Sequence, residues 1–210
     1  MNGNRIRTGL YNVFEWIVLL AWLNVLWTIF SLIGLVIFGW APATTALLSV
    51  LRQVLREKNL QLPTFKEFYY YYKTNFIKAN GVGLILILIT LAIGYGFITL
   101  PFLPKLPFYI MFIFYLVMTS LFMIMSTFIF PAFTHYQTTF INYFKYALVI
   151  GLTHLHYGLL FFISLILMYV LFRAFPGLIL FFSISIPCAL LMSMALKVFN
   201  KIENSISVVK

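Results

Sequence analysis

Charge is scarce in this sequence. Only 9% of its 210 residues are charged, and only four of those are acidic. An ordinary soluble domain carries about 25% charged residues. A soluble fold of this length could not hide a 63% hydrophobic content, because folded domains leave much of the chain facing water. The shortage of acids also restricts catalysis. Glu15, Glu57, Glu67 and Glu203 all fall at the edges of apolar runs or between them, whereas general acid–base chemistry needs carboxylates or histidines within reach of a substrate. A single cysteine, Cys188, excludes an internal disulfide framework and a Cys-based metal site. It lies in an apolar stretch and reads as a small packed residue.

Other signatures are missing too. The sequence has no His-Glu-x-x-His, no Gly-x-Ser-x-Gly elbow, no phosphate-binding P-loop and no Cys-x-x-Cys. Of the three histidines, His154 and His156 would point about 160° apart on one helix, so an unbroken helix cannot bring both to one metal. His135 completes the set as an interfacial residue. No metal, no cofactor and no enzymatic activity are expected. A cleavable signal peptide is not expected either, since the first apolar run is too long for one.

What the sequence does have is long uncharged runs. A helix needs roughly 20 apolar residues to cross about 30 Å of hydrocarbon. Five runs qualify, at about 16–38, 81–100, 108–130, 157–172 and 178–196. Pro101, Pro104 and Pro107 mark a stiff turn after the second, Pro131 ends the third, and Pro187 breaks the fifth. The expected fold class is therefore all-α, a polytopic transmembrane helix bundle forming a single membrane domain over 1–210. Aromatics at 20%, with 24 Phe and 13 Tyr, suit lipid-facing and interfacial positions.

Between the runs lie amphipathic stretches. In 43–58, Leu47, Val50, Leu51, Val54 and Leu55 share one helical face, and Arg52, Gln53 and Arg56 the other. In 64–79, Thr64 and Glu67 have capping-box spacing; Phe65, Phe68, Tyr69, Tyr72 and Phe76 share a face. A third stretch, 132–147, repeats the aromatic spacing with Phe133, Tyr136, Phe140 and Phe144. All three are expected as interfacial helices lying among lipid headgroups, although residues 39–51 could instead re-enter the membrane. A shift of 75 residues places Thr64-Phe65 on Thr139-Phe140, Gly83 on Gly158 and Pro101 on Pro176, the pattern expected of an internal duplication.

Basic residues set the expected orientation. Five spans put Arg52, Arg56, Lys58, Lys66, Lys73, Lys78, Lys145, Lys197, Lys201 and Lys210 on one side, against Arg5, Arg7, Lys105 and Arg173 on the other. The first side is expected to be cytoplasmic and the amino terminus outside, in the plasma membrane. The net charge of +10 then points to anionic lipid headgroups, with Arg52, Arg56, Lys58, Lys66, Lys73 and Lys78 as the contacts. Nucleic acid is not an expected partner. Inside the spans the conspicuous polar residue is Asn24, whose amide needs a partner in hydrocarbon and is expected to face another helix.

Several of these residues also carry a resemblance. Leu23-Asn24-Val25-Leu26-Trp27, Gly39, Pro42-Ala43-Thr44-Thr45-Ala46-Leu47 and Arg52 resemble the YesL family of bacterial membrane proteins. Phe65-x-x-Phe68 and Lys73-Thr74-Asn75-Phe76-Ile77-Lys78-Ala79 fit the same pattern, and the second half agrees mainly in hydropathy. The resemblance implies no established activity and supplies no catalytic residues. Members are often encoded near carbohydrate ABC importers, which implies a link to sugar uptake. The sequence lacks the Glu-Ala-Ala coupling loop of ABC permeases. The expected role is thus an accessory or regulatory partner binding the membrane subunits of a sugar importer. The alternatives are a small-solute transporter or channel in its own right and, last, a membrane-embedded enzyme.

Overall fold

The uncharged runs dictate helices, because a chain in hydrocarbon must satisfy its backbone polar groups internally. The computed structural model describes residues 2–57 and 65–208, with side chains over 12–57 and 65–205. The described residues form eight α-helices: α1 Asn2–Ile33, α2 Trp40–Glu57, α3 Phe65–Thr99, α4 Lys105–His135, α5 Phe140–Thr153, α6 Leu155–Ala174, α7 Gly177–Phe182 and α8 Ser185–Val208. Five segments are long and apolar enough to cross a bilayer: Asn12–Ile33, Phe65–Phe102, Lys105–His135, Leu155–Ala174 and Ser185–Ser205. The protein is a multi-pass, all-α membrane protein.

Proline explains several helix ends, though not always as its position suggested. Pro42 sits in the first turn of α2, where its missing N–H has no intrahelical partner to lose. Pro101 lies in the 3-10 turn Leu100–Phe102 that closes α3, and Pro104 is the N-cap of α4. Pro131 does not end the third span: α4 continues through it to His135. Nor does Pro187 break a span. It falls in the first turn of α8, and the preceding residues form the separate short α7. The expected fifth span, 178–196, is therefore displaced to Ser185–Ser205.

The amphipathic stretches fold differently from one another. Residues 43–58 belong to α2 as far as Glu57, yet Ala43, Leu47, Val50, Leu51 and Val54 are buried in the protein core. α2 packs against α1, α3, α4 and α8, so its apolar face is covered by protein. Thr64 lies outside the described residues. From Phe65 onward the second stretch is continuous with the second span in one 35-residue helix. The third stretch is divided: Ala132–His135 finish α4, residues 136–139 are non-helical, with Tyr136 and Thr139 extended, and α5 begins at Phe140. The two expected copies of the repeat are thus not built alike, because α3 is unbroken where α5 and α6 part at His154.

The turn joining α1 to α2 brings residues 31–40 back on themselves. Val36 N–H donates to Ser31 O at 2.8 Å, and Leu35 and Val36 adopt left-handed φ values of 55° and 63°. Such a backbone costs an L-residue roughly 1–2 kcal/mol. A Cβ on Gly34 would collide with the Gly39 backbone, so the closeness of the turn requires glycine. Beside it, the Phe30 ring sits 5.0 Å from Phe65 and Tyr72 and 5.1 Å from Phe68, tying the end of α1 to the start of α3.

The outer faces remain apolar. Ile110, Ile113 and Leu116 on α4 and Leu159, Ile163, Ile166, Leu167 and Val170 on α6 are exposed. Water would not tolerate patches of this size, whereas hydrocarbon covers them without penalty.

Candidate functional site

Two polar constellations stand out against this apolar frame. The first is built on Asn24, buried in the middle of the first span. Its Nδ2 donates to Leu180 O at 2.8 Å, and its Oδ1 accepts from Ile184 N–H at 3.1 Å and Ser185 N–H at 3.3 Å. The amides of Ser185, the first residue of α8, and of Ile184 just before it have no carbonyl four residues back within that helix, and Asn24 supplies one acceptor for both. Its carboxamide thereby bridges α1 to the break between α7 and α8.

Most hydroxyls in the spans are satisfied locally. Thr28, Thr119, Ser120, Thr127, Ser164 and Ser193 each donate to a carbonyl three or four residues earlier in their own helix. Trp27 Nε1–H crosses to Thr44 Oγ1 at 3.0 Å, a further tie between α1 and α2. Ser31 Oγ and Ser185 Oγ are buried without a hydrogen-bond partner.

The second constellation lies at one end of the bundle. A cavity of about 650 Å³ opens between the carboxyl-terminal half of α2, the early turns of α3, the end of α4 and the start of α5. Arg52 comes from α2; Tyr71, Thr74, Asn75 and Lys78 form one stripe on α3; His135 to Thr139 close the far wall. The positions on α3 follow from helical periodicity, which aligns residues three and four apart. Residues 136–139 are non-helical, and Tyr136 N–H still caps α4 by donating to Ala132 O at 2.9 Å. Phe133 and Tyr143 seal one side with ring centroids 4.8 Å apart.

Glu203 joins two of the basic side chains at this end. Glu203 on α8 contacts His135 Nε2 at 2.8 Å through Oε1 and Arg56 Nη2 at 3.9 Å through Oε2. The His135 side chain is 3% exposed, while Arg56 and Glu203 are about half exposed, at 50% and 47%. Arg52 stands apart from that acid: its Nη1 donates to His135 O at a long 3.5 Å. Burial, reinforced by the like charge of Arg56, pushes the Arg52 guanidinium below its usual pKa.

The other basic residues singled out in the sequence scatter. Lys66 and Lys73 are exposed on α3, with Lys73 Nζ 6.0 Å from the Tyr69 ring centroid. Lys78 is exposed at the cavity rim. Lys58 lies outside the described residues. Among the described residues, no group of three or more His, Cys, Asp or Glu side chains could hold a metal ion.

Comparison with known proteins places the chain. Residues 20–97 match the family described as "Protein of unknown function, DUF624". Over 189 residues it is 31% identical to the "Uncharacterized protein YteU" of Bacillus subtilis (strain 168), covering 90% of this chain and 84% of that one. The chain belongs to the DUF624 family. The "Uncharacterized protein YesV" of the same strain is 33% identical over 201 residues, covering 94% of this chain and 95% of the relative. Similarity to the "Uncharacterized protein YesL" is higher, at 39%, but is confined to 82 residues, 39% of each chain. The resemblance to YesL is thus one part of a wider relationship that full-length similarity to YteU and YesV carries. No solved structure matches.

Several cavity residues were not marked by sequence reasoning. Gln137, Thr138 and Thr139 fall within the helix expected over 132–147, and the sequence marks His135 as an interfacial residue. The usable signal was five consecutive polar or amphipathic residues, His135 to Thr139, directly after an uncharged run of 29 residues from Leu106 to Thr134.

Proposed function

We propose that this DUF624 protein is a non-catalytic accessory partner of a bacterial carbohydrate uptake system of the ABC type. The observation that carries the proposal is the use made of Asn24. All of its described side-chain hydrogen bonds hold α1 to α7 and the α7–α8 break, and the hydroxyls of Thr28, Thr119, Ser120, Thr127, Ser164 and Ser193 bond within their own helices. Most polar groups that a solute path would need are thus engaged, Asn24 in joining helices and those hydroxyls with their own backbone. A transporter acting alone is the competing reading, and it would need those groups free.

The polar surface is instead concentrated at one end, around Arg52, Arg56, Lys78 and His135, while α4 and α6 present broad apolar faces suited to lipid or to another membrane subunit. Basic residues beside exposed Phe65 and Tyr69 suit the first turns of α3 to the headgroup level. In this account the basic end faces the cytoplasm and the amino-terminal end of α1 faces outward. The link to sugar rests on the resemblance to a family whose members are often encoded beside carbohydrate importers.

Copurification tests the proposal. A tagged copy is extracted in mild detergent from cells grown on a complex polysaccharide, and its companions are identified by mass spectrometry. Recovery of an importer's membrane subunits, lost when cells grow on an unrelated carbon source, is the expected result. Recovery of no permease at any expression level overturns it.

A further inference from the structure

The cavity at the basic end carries two cationic side chains, Arg52 and Lys78, and no carboxylate among its described lining residues. Glu203 is directed to Arg56 and His135 and does not line it. A guanidinium has five N–H donors, and the bond that Arg52 makes among the described residues is the long one to His135 O. A partly buried cation with idle donors is costly to maintain unless an anion completes it. Further donors surround it: the hydroxyls of Thr74, Thr138 and Thr139 and the amides of Asn75 and Gln137. Thr139 is also the N-cap of the 14-residue α5, and its side chain makes no capping hydrogen bond. The positive dipole end of that helix therefore sits close to the rim that Thr139 lines.

Three separate segments, α2, α3 and residues 137–139, thus bring cationic or donor side chains to one cavity. That spread suits the tetrahedral oxygens of a phosphate better than the planar pair of a carboxylate. The volume, about 650 Å³, is ample for a phosphate ester. The position matters as well. The uncharged run of α3 begins just after Lys78, and that of α4 ends just before His135, so the cavity lies where the apolar spans give way to polar chain.

We propose that this cavity binds a phosphate group, presented either by an anionic phospholipid headgroup or by a soluble phosphate ester. The proposal is independent of the accessory role, since either partner or ligand could exist without the other.

The test uses the full chain, delipidated in a neutral detergent, and isothermal titration calorimetry with two probes: phosphatidylglycerol in mixed micelles and soluble glycerol phosphate. Dioleoylglycerol, which lacks phosphate, is the control. Binding of at least one phosphate probe, with none by the control, is expected. Lys78→Gln should weaken it about tenfold, the worth of one charge-assisted hydrogen bond, and Arg52→Gln at least as much. Lys145→Gln, an exposed position on α5 that does not line the cavity, should change it by less than about twofold. Lys78 is exposed, so its variant keeps the test valid even if Arg52→Gln fails to fold. Binding of phosphatidylglycerol alone identifies the lipid as the source, and binding of glycerol phosphate identifies a soluble ester. Binding of neither, or equal losses in Lys78→Gln and Lys145→Gln, overturns the proposal.

Discussion

Replacing Asn24 with leucine should be among the most damaging single changes in the bundle. The side chains are of similar size, so the variant isolates the polar contribution. Three hydrogen bonds are lost, to Leu180 O, Ile184 N–H and Ser185 N–H at 2.8, 3.1 and 3.3 Å. Side-chain hydrogen bonds between membrane helices average about 0.6 kcal/mol each, which gives roughly 2 kcal/mol. The two amides at the start of α8 are then stranded in a buried site, and each orphaned donor costs about 1–3 kcal/mol unless the helix end shifts to satisfy it. Partial relaxation brings the expected total to about 2–4 kcal/mol. Reversible unfolding in mixed micelles of mild detergent and dodecyl sulfate, followed by tryptophan fluorescence, reads this difference directly. A loss below about 0.5 kcal/mol would refute the reasoning, because it would mean that the carboxamide does not hold α1 to the α7–α8 break.

Packing and surface charge give further expectations under the same assay. A Cβ on Gly83 would stand 2.7 Å from Ala41 Cβ and 3.1 Å from Trp40 Cζ2, so Gly83→Leu should cost about 1–3 kcal/mol by forcing α2 and α3 apart. Gly94 has no atom within 4 Å of the same position; Gly94→Ala should be neutral or stabilise by up to about 1 kcal/mol through helix propensity. The Arg56–Glu203 pair is half exposed and 3.9 Å apart, so Arg56→Gln should cost less than about 1 kcal/mol, an effect that added salt reduces.

The spans were legible in the sequence because lipid leaves few choices: uncharged runs of some twenty residues must become helices. Their boundaries were less so, and proline is the reason. Pro131 and Pro187 looked like breaks, yet one is carried within α4 and the other sits in the first turn of α8, where proline does little harm. The environment of α2 was hidden for a different reason. Leu47, Val50, Leu51 and Val54 form an apolar stripe, and a stripe looks the same whether lipid or protein covers it; here α1, α3, α4 and α8 supply the cover. The need of Asn24 for a partner could be read from its setting, but not that the partner would be the backbone of Leu180, Ile184 and Ser185, some 160 residues away. The cavity was the least legible feature. Arg52 and Lys78 stand out as basic residues beside apolar runs, but only folding brings them to the non-helical residues 136–139.

Five crossings are the claim on which the rest depends, and sided labelling tests it. The lone Cys188 is buried, so single cysteines introduced as Lys105→Cys, Gln137→Cys and Phe175→Cys report the connections after α3, α4 and α6. In sealed right-side-out and inverted vesicles, an impermeant maleimide should label positions 105 and 175 from one side and position 137 only from the other. Labelling of 105 and 137 from the same side would contradict the five-span bundle.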